Sequence, residues 1–155
     1  MSAKEIATFA GGWFWDVEAV LQNVAGVKNT MVGFAGGRTD NPTYESVCYT
    51  DTGHAEVVQV EFDPEIVSFD KLLNVLFTVA NPTIPEDYCG GQYRTAIFYH
   101  SEKQKESAEK LLKKFEALSP RRVFIEISPA TEFYRAEEYH QSYYKKKTGS
   151  YSPGI

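Results

Sequence analysis

Residues 9–20, FAGGWFWDVEAV, carry the first sign of chemistry in this chain. A β-like run closes on Gly11 and Gly12, and a helical pattern begins at once. The free N–H groups of such a helix start favour anions and lower the pKa of a thiol placed there. The side chain at this point is Trp13, an indole that does neither job, and Phe14 and Trp15 follow it. The thiols lie elsewhere, at Cys48 and Cys89, with no Cys-x-x-Cys spacing. The start, MSAKEIATFAGG, has no basic n-region and no long apolar h-region, so the expectation is a cytoplasmic protein with free thiols. His54, His100 and His140 are too far apart for ligand spacing, and no metal site is expected.

The elements that position this turn follow from hydrophobic periodicity. KEIATFA (4–10) alternates as a strand, and Phe14, Val17, Val20, Leu21 and Val24 recur at helical spacing up to Gly26. VKNTMVGFAGG (27–37) is a second strand, followed by a long polar loop through His54. AEVVQVEFDP (55–64) is a third strand. Ser68 caps a helix with Phe69, Leu72, Leu73, Leu76 and Phe77 on its buried stripe. The loop NPTIPEDYCGG leads into the strand YRTAIFYH. Ser101 with Gln104 forms a capping box for a helix carrying Ala108, Leu111, Leu112, Phe115 and Leu118. RVFIEI is a last strand and 136–147 a last helix. The order β-α-β-β-α-β-α-β predicts an α+β fold, two layers with helices on a mostly antiparallel mixed sheet.

A chain of 155 residues is enough for one cored domain, placed at 1–147 with a tail at 148–155. Net charge is −5, and the basic cluster Lys145, Lys146 and Lys147 suits a helix C-terminus better than a nucleic-acid face. No run approaches the ~18 apolar residues of a membrane span. Neither nucleic acid nor membrane is expected as a partner.

TFAGGWFWDVEA resembles the signature turn of the A-type peptide methionine sulfoxide reductases, in which Gly-Cys-Phe-Trp opens a helix with Glu a few residues on. VGFAGGRTDNPTYESVCYTDTGHAEVVQVEFDP is similar to the family's central segment, GGQYRTAIFY to its Gly-Thr-Gln-Tyr-Arg-Ser strand, and FYRAEEYHQSYY to its Tyr-His-Gln segment. The likeness covers roughly residues 5 to 145 and implies the family's fold, with a ferredoxin-like core. It also implies that Trp13 stands at the attacking cysteine and that the usual C-terminal resolving thiols are missing. Glu56 matches the carboxylate that protonates the sulfoxide, and Tyr93 a tyrosine that hydrogen-bonds its oxygen. Phe34 falls on a second oxygen-binding tyrosine. Tyr88 falls on an aspartate for which the adjacent Asp87 is a stand-in. Phe14 and Trp15 match the methyl cage, and Cys48 a cysteine without a catalytic role.

Three readings follow from these matches. The first is a cofactor-free acid/base enzyme on the old fold. Glu56 and Tyr93 would act on a small aromatic or apolar substrate held by Trp13, Phe14, Trp15, Phe34, Asp87 and Tyr88. An amine–aldehyde condensation of Pictet–Spengler type is an example. The second is a non-catalytic protein that keeps the pocket for methionine, its sulfoxide or another small ligand, or one whose pocket Trp13 simply plugs. The third is a peptide-methionine (S)-S-oxide reductase with a relocated thiol, Cys89, or an engineered variant of one. The plug reading predicts an indole filling the cavity, and the new-enzyme reading predicts Trp13 lining an open one.

Overall fold

The computed structural model describes residues 4–85 and 91–147. Six strands form one sheet: β1 (Glu5–Gly11), β2 (Val27–Ala35), β3 (Ala55–Phe62), β4 (Thr95–Tyr99), β5 (Glu126–Pro129) and β6 (Tyr134–Arg135). Their spatial order is β5-β4-β1-β3-β2-β6, and only the β4–β5 pairing is parallel. The central order β4-β1-β3-β2 is the ferredoxin-like arrangement, and the α+β expectation holds. No described helix is long and apolar enough to cross a membrane.

Strand alternation divides the core between the two faces of the sheet. Ala7, Phe9, Val32, Phe34, Val58, Val60 and Ile97 pack under Val17 and Leu21 of α1 (Phe14–Gln22). Leu72, Leu73 and Leu76 of α3 (Phe69–Leu76) and Ala108 of α4 (Glu102–Leu118) complete this layer. On the other face, Ala10, Ala35, Ala55, Val57, Ala96 and Phe98 meet Ala130 and Phe133. Glu56, between Ala55 and Val57, therefore points to the helix side, directly across from Phe34.

Ser68 caps α3 as expected, Lys71 N donating to its Oγ at 3.0 Å. Ser101 caps α4 by accepting from Gln104 N at 3.2 Å, but the expected box does not close, because Gln104 Oε1 accepts from His100 N at 2.9 Å and its Nε2 donates to Ile6 O at 2.9 Å. Leu118, which α4 carries as expected, stands exposed on its last turn. The polar loop after β2 contains an unforeseen helix, α2 (Tyr44–Tyr49), too short to show periodicity. Thr43 and Ser46 close a capping box at its start, with bonds of 3.0 and 2.8 Å. RVFIEI enters the sheet only at Glu126, because Phe124 N donates to Pro82 O at 2.7 Å instead.

The continuous helix expected at 136–147 is broken into a 3-10 turn (Glu138–His140) and α5 (Tyr143–Lys147). Tertiary bonds at the join decide this. Gln141 Oε1 accepts from Val32 N at 2.9 Å, and its Nε2 donates to Val32 O and Ala136 O at 2.9 and 3.0 Å. Ser142 takes a positive φ of 50°, and its N–H reaches the buried Glu18 carboxylate at 2.8 Å. The predicted tail lies outside the described residues.

Candidate functional site

The start of α1 is capped from a different strand. Gly12 turns the chain with φ +101°, a conformation that only glycine adopts without strain. A Cβ on Gly11 would meet Ala80 Cβ at 2.8 Å and Leu76 Cδ1 at 2.9 Å, so the close approach of β1 to α3 and the turn after it needs that residue bare too. Trp13 occupies the N-cap position without a side-chain cap. The cap comes from Glu56: Phe14 N donates to Glu56 Oε1 at 3.2 Å. Gln92 Nε2 donates to Oε2 at 2.5 Å, while Glu56 N donates to Gln92 O at 2.9 Å.

Glu56 is 2 % exposed, and burial pushes its carboxyl up to about 7. The bonds from Phe14 N–H and Gln92 favour the charged form and hold that rise back. Near neutral pH the group is present both as acid and as base. Two phenols stand close to it. Tyr44 of α2 is pushed far above the ordinary range by burial and by the Glu56 charge, and its hydroxyl interacts with the Cys48 thiol. Tyr93 rises to about 12 by burial and the same charge, offset in part by side-chain hydrogen bonding with Trp13 and Tyr44. Gln92 Nε2 also lies 3.1 Å from Cys48 Sγ.

The aromatic wall is layered. Phe14 is buried between Phe34 and His140, with ring centroids at 5.6 and 5.4 Å. Trp15 stacks on Tyr143 at 3.8 Å and donates from Nε1 to His140 Nδ1 at 3.2 Å. Trp13 meets Trp15 edge-on at 5.5 Å and remains 47 % exposed. Its indole borders an open cleft of ≈ 290 Å³, shared with Val79, Asn81, Ile84 and Tyr93. Glu56 is not among the residues that line this cleft.

The family model for peptide methionine sulfoxide reductase matches residues 5–153. The peptide methionine sulfoxide reductase MsrA of Sulfolobus acidocaldarius is 46 % identical over 145 residues, covering 92 % of this chain and 82 % of its own. That of Methanosarcina mazei is 49 % identical over 150 residues, covering 92 % and 70 %. This chain belongs to the peptide methionine sulfoxide reductase family. The solved structure of methionine sulfoxide reductase A of Corynebacterium diphtheriae superposes with a TM-score of 0.82 at 34 % identity, covering 97 % of this chain and 78 % of that one.

Membership in the reductase family overturns the leading functional expectation. Relatives at 42–49 % identity carry the reductase name, and nothing in them points to amine–aldehyde condensation. The reductase alternative fits instead. The acid and phenol that the sequence reading assigns to new chemistry are also the donors that a sulfoxide oxygen needs.

Of the residues singled out in the sequence, the fold brings Trp13, Phe14, Trp15, Glu56 and Tyr93 together. Phe34 has no exposed surface and backs Phe14 from within the core. Asp87, Tyr88 and Cys89 lie outside the described residues. Sequence reasoning missed Tyr44 and Gln92 and set Cys48 aside. The i,i+4 spacing of Tyr44 and Cys48 was the available signal: it puts both on one face of α2.

Proposed function

We propose that this chain binds methionine (S)-sulfoxide, free or within a peptide, and reduces it with one of its own thiols. The observation that carries this reading is Glu56: a buried carboxyl at the N-terminus of α1, poised near 7, with two phenols beside it. In its protonated form Glu56 donates to the sulfoxide oxygen, and Tyr93 and Tyr44 supply further O–H donors. A thiolate attacks the sulfoxide sulfur, and the proton from Glu56 goes to the oxygen. The oxygen passes to the attacking sulfur, releasing methionine and leaving a sulfenic acid. A second thiol then condenses with that acid, giving a disulfide and water.

By the family resemblance Trp13 stands where the attacking thiol is expected, and an indole forms no sulfenic acid. The reading therefore requires Cys48 or Cys89. Cys48 stands in the described site, next to Gln92 and Tyr44. Cys89, the candidate from sequence, lies outside the described residues. The exposed indole at the rim favours one second reading, a sulfoxide-binding protein without turnover.

Dithiothreitol-driven reduction of methionine (S)-sulfoxide and of a sulfoxide-bearing peptide tests this. The unaltered chain is assayed beside Cys48→Ala, Cys89→Ala and Trp13→Cys. Turnover lost in one cysteine variant is the expected result. Turnover only in Trp13→Cys would establish the binding protein. Silence from every form would contradict reduction.

A further inference from the structure

We infer that His140 is a positioning residue that fixes the orientation of the Trp15 indole in the aromatic wall of the site, a deepening that rests on the sulfoxide reading of the pocket. The segment Tyr139–Gln141 has no task in that reading, yet the fold holds it firmly. Gln141 ties it to Val32 of β2 through its side-chain amide, with bonds of 2.9 Å to the N–H and to the carbonyl. Glu137 Oε1 accepts from Tyr44 N at 3.3 Å and ties the start of the same turn to α2. His140 is carried in this way against Phe14 and Trp15 of α1 and Tyr44 of α2, and is 1 % exposed.

An indole N–H donates and never accepts, so the 3.2 Å bond from Trp15 Nε1 makes His140 Nδ1 the acceptor and places the imidazole proton on Nε2. Among the described residues nothing accepts from that buried Nε2. A phenylalanine in its place would only exchange one unbonded N–H for another, the indole's for the imidazole's, so stability gives little reason for a histidine here. What the imidazole adds is direction. Tyr143 stacks on the indole at 3.8 Å and 11°, and the imidazole lies 25° from the indole plane at 5.5 Å. Stacked faces let an indole turn within its own plane; a hydrogen bond at its edge stops that turn. The groups facing the imidazole leave the acceptor in place. Phe14 and Trp15 carry no charge, and Tyr44 and Tyr139 face it as phenols. Burial holds the imidazole below its ordinary value and outweighs Glu137, which acts to raise it. The ring is therefore neutral at pH 7 and above.

Nitrogen-15 correlation spectra of the unaltered chain at pH 7.5, without ligand, test the bond. The expected result is an unprotonated Nδ1, a protonated Nε2 and a Trp15 Nε1–H that exchanges slowly with water; a proton on Nδ1 overturns the proposal. Two variants separate orientation from packing. His140→Phe keeps a ring and removes the acceptor, and its affinity for methionine (S)-sulfoxide in calorimetric titration falls by about fivefold. His140→Asn loses the ring but presents Oδ1 near the place of Nδ1, and the affinity returns toward that of the unaltered chain. Equal affinities in all three proteins, or an equal loss in both variants, would give His140 a packing role only and overturn the proposal. Should a variant fail to fold, the tautomer decides alone. An unaltered chain that shows the expected tautomer and binds no sulfoxide would defeat the proposed function and leave the bond that orients Trp15 standing.

Discussion

Glu56 reconciles two demands on one carboxyl. It caps α1 through Phe14 N–H, which favours the anion, and it lies buried among phenols and rings, which favours the acid. Burial wins, and folding therefore takes up a proton between the unfolded value of 4.5 and the folded value of about 7. Because the folded value is the higher one, its contribution is full below pH 4.5 and is lost as pH rises through 7. The loss amounts to about 3 kcal/mol at most. Urea midpoints at pH 5, 7 and 8.5 are expected to fall with pH in the unaltered chain and less steeply in Glu56→Gln. His100 and His140 are both lowered by burial and slope the other way below their ordinary value, so the difference between the two proteins is the quantity to compare. Glu56 and Tyr93 were legible in the sequence because they sit in long motifs. Gln92 sat in the same GGQYR motif without being singled out, since its role depends on reaching two groups from other elements.

At the scale of elements, the sequence pattern found α1, α3, α4 and β1 to β4, whose apolar residues supply the core. It failed where tertiary bonds outweigh local pattern. α2 is a six-residue helix held by its Thr43 cap, and β6 is two residues paired to Gly33 and Phe34. The break after His140 has its cause in Gln141, whose side chain extends the sheet edge as a short strand would. Gln141→Ala strands the buried Val32 N–H and removes three hydrogen bonds. Thermal unfolding is expected to show a loss of about 2–4 kcal/mol, large for one surface-to-core amide. The 3-10 turn that places His140 against Trp15 and Tyr44 should loosen with it, seen as faster amide exchange at residues 136–142.

The whole molecule packs both faces of its sheet and gathers the candidate site at the strand ends. Arg94 joins sheet and site: its guanidinium pairs with Glu126 of β5 at 2.8 Å and donates to the carbonyls of Gly36, Gly53 and Gly91. These are the ends and entries of β2, β3 and β4 around Glu56. Arg94→Met takes a donor from three carbonyls and from a half-buried carboxylate that keeps Ser128 Oγ. A loss of about 3 kcal/mol in urea unfolding is expected, together with a weaker Glu56 site. The architecture was legible as a whole because the family's motifs fall on its central strands. The balance of chemistry was not, because the resemblance alone sets Trp13 at the nucleophile position, and that reading looks alike whether a site is remodelled or rerouted. The central claim is that protonated Glu56 holds a sulfoxide oxygen. Calorimetric titration of methionine (S)-sulfoxide between pH 5.5 and 8.5 tests it most directly. Affinity is expected to fall roughly tenfold per pH unit above 7, and Glu56→Gln, whose amide still donates, is expected to bind without that dependence. Affinity flat with pH in the unaltered chain, or no binding at pH 5.5, would contradict the account.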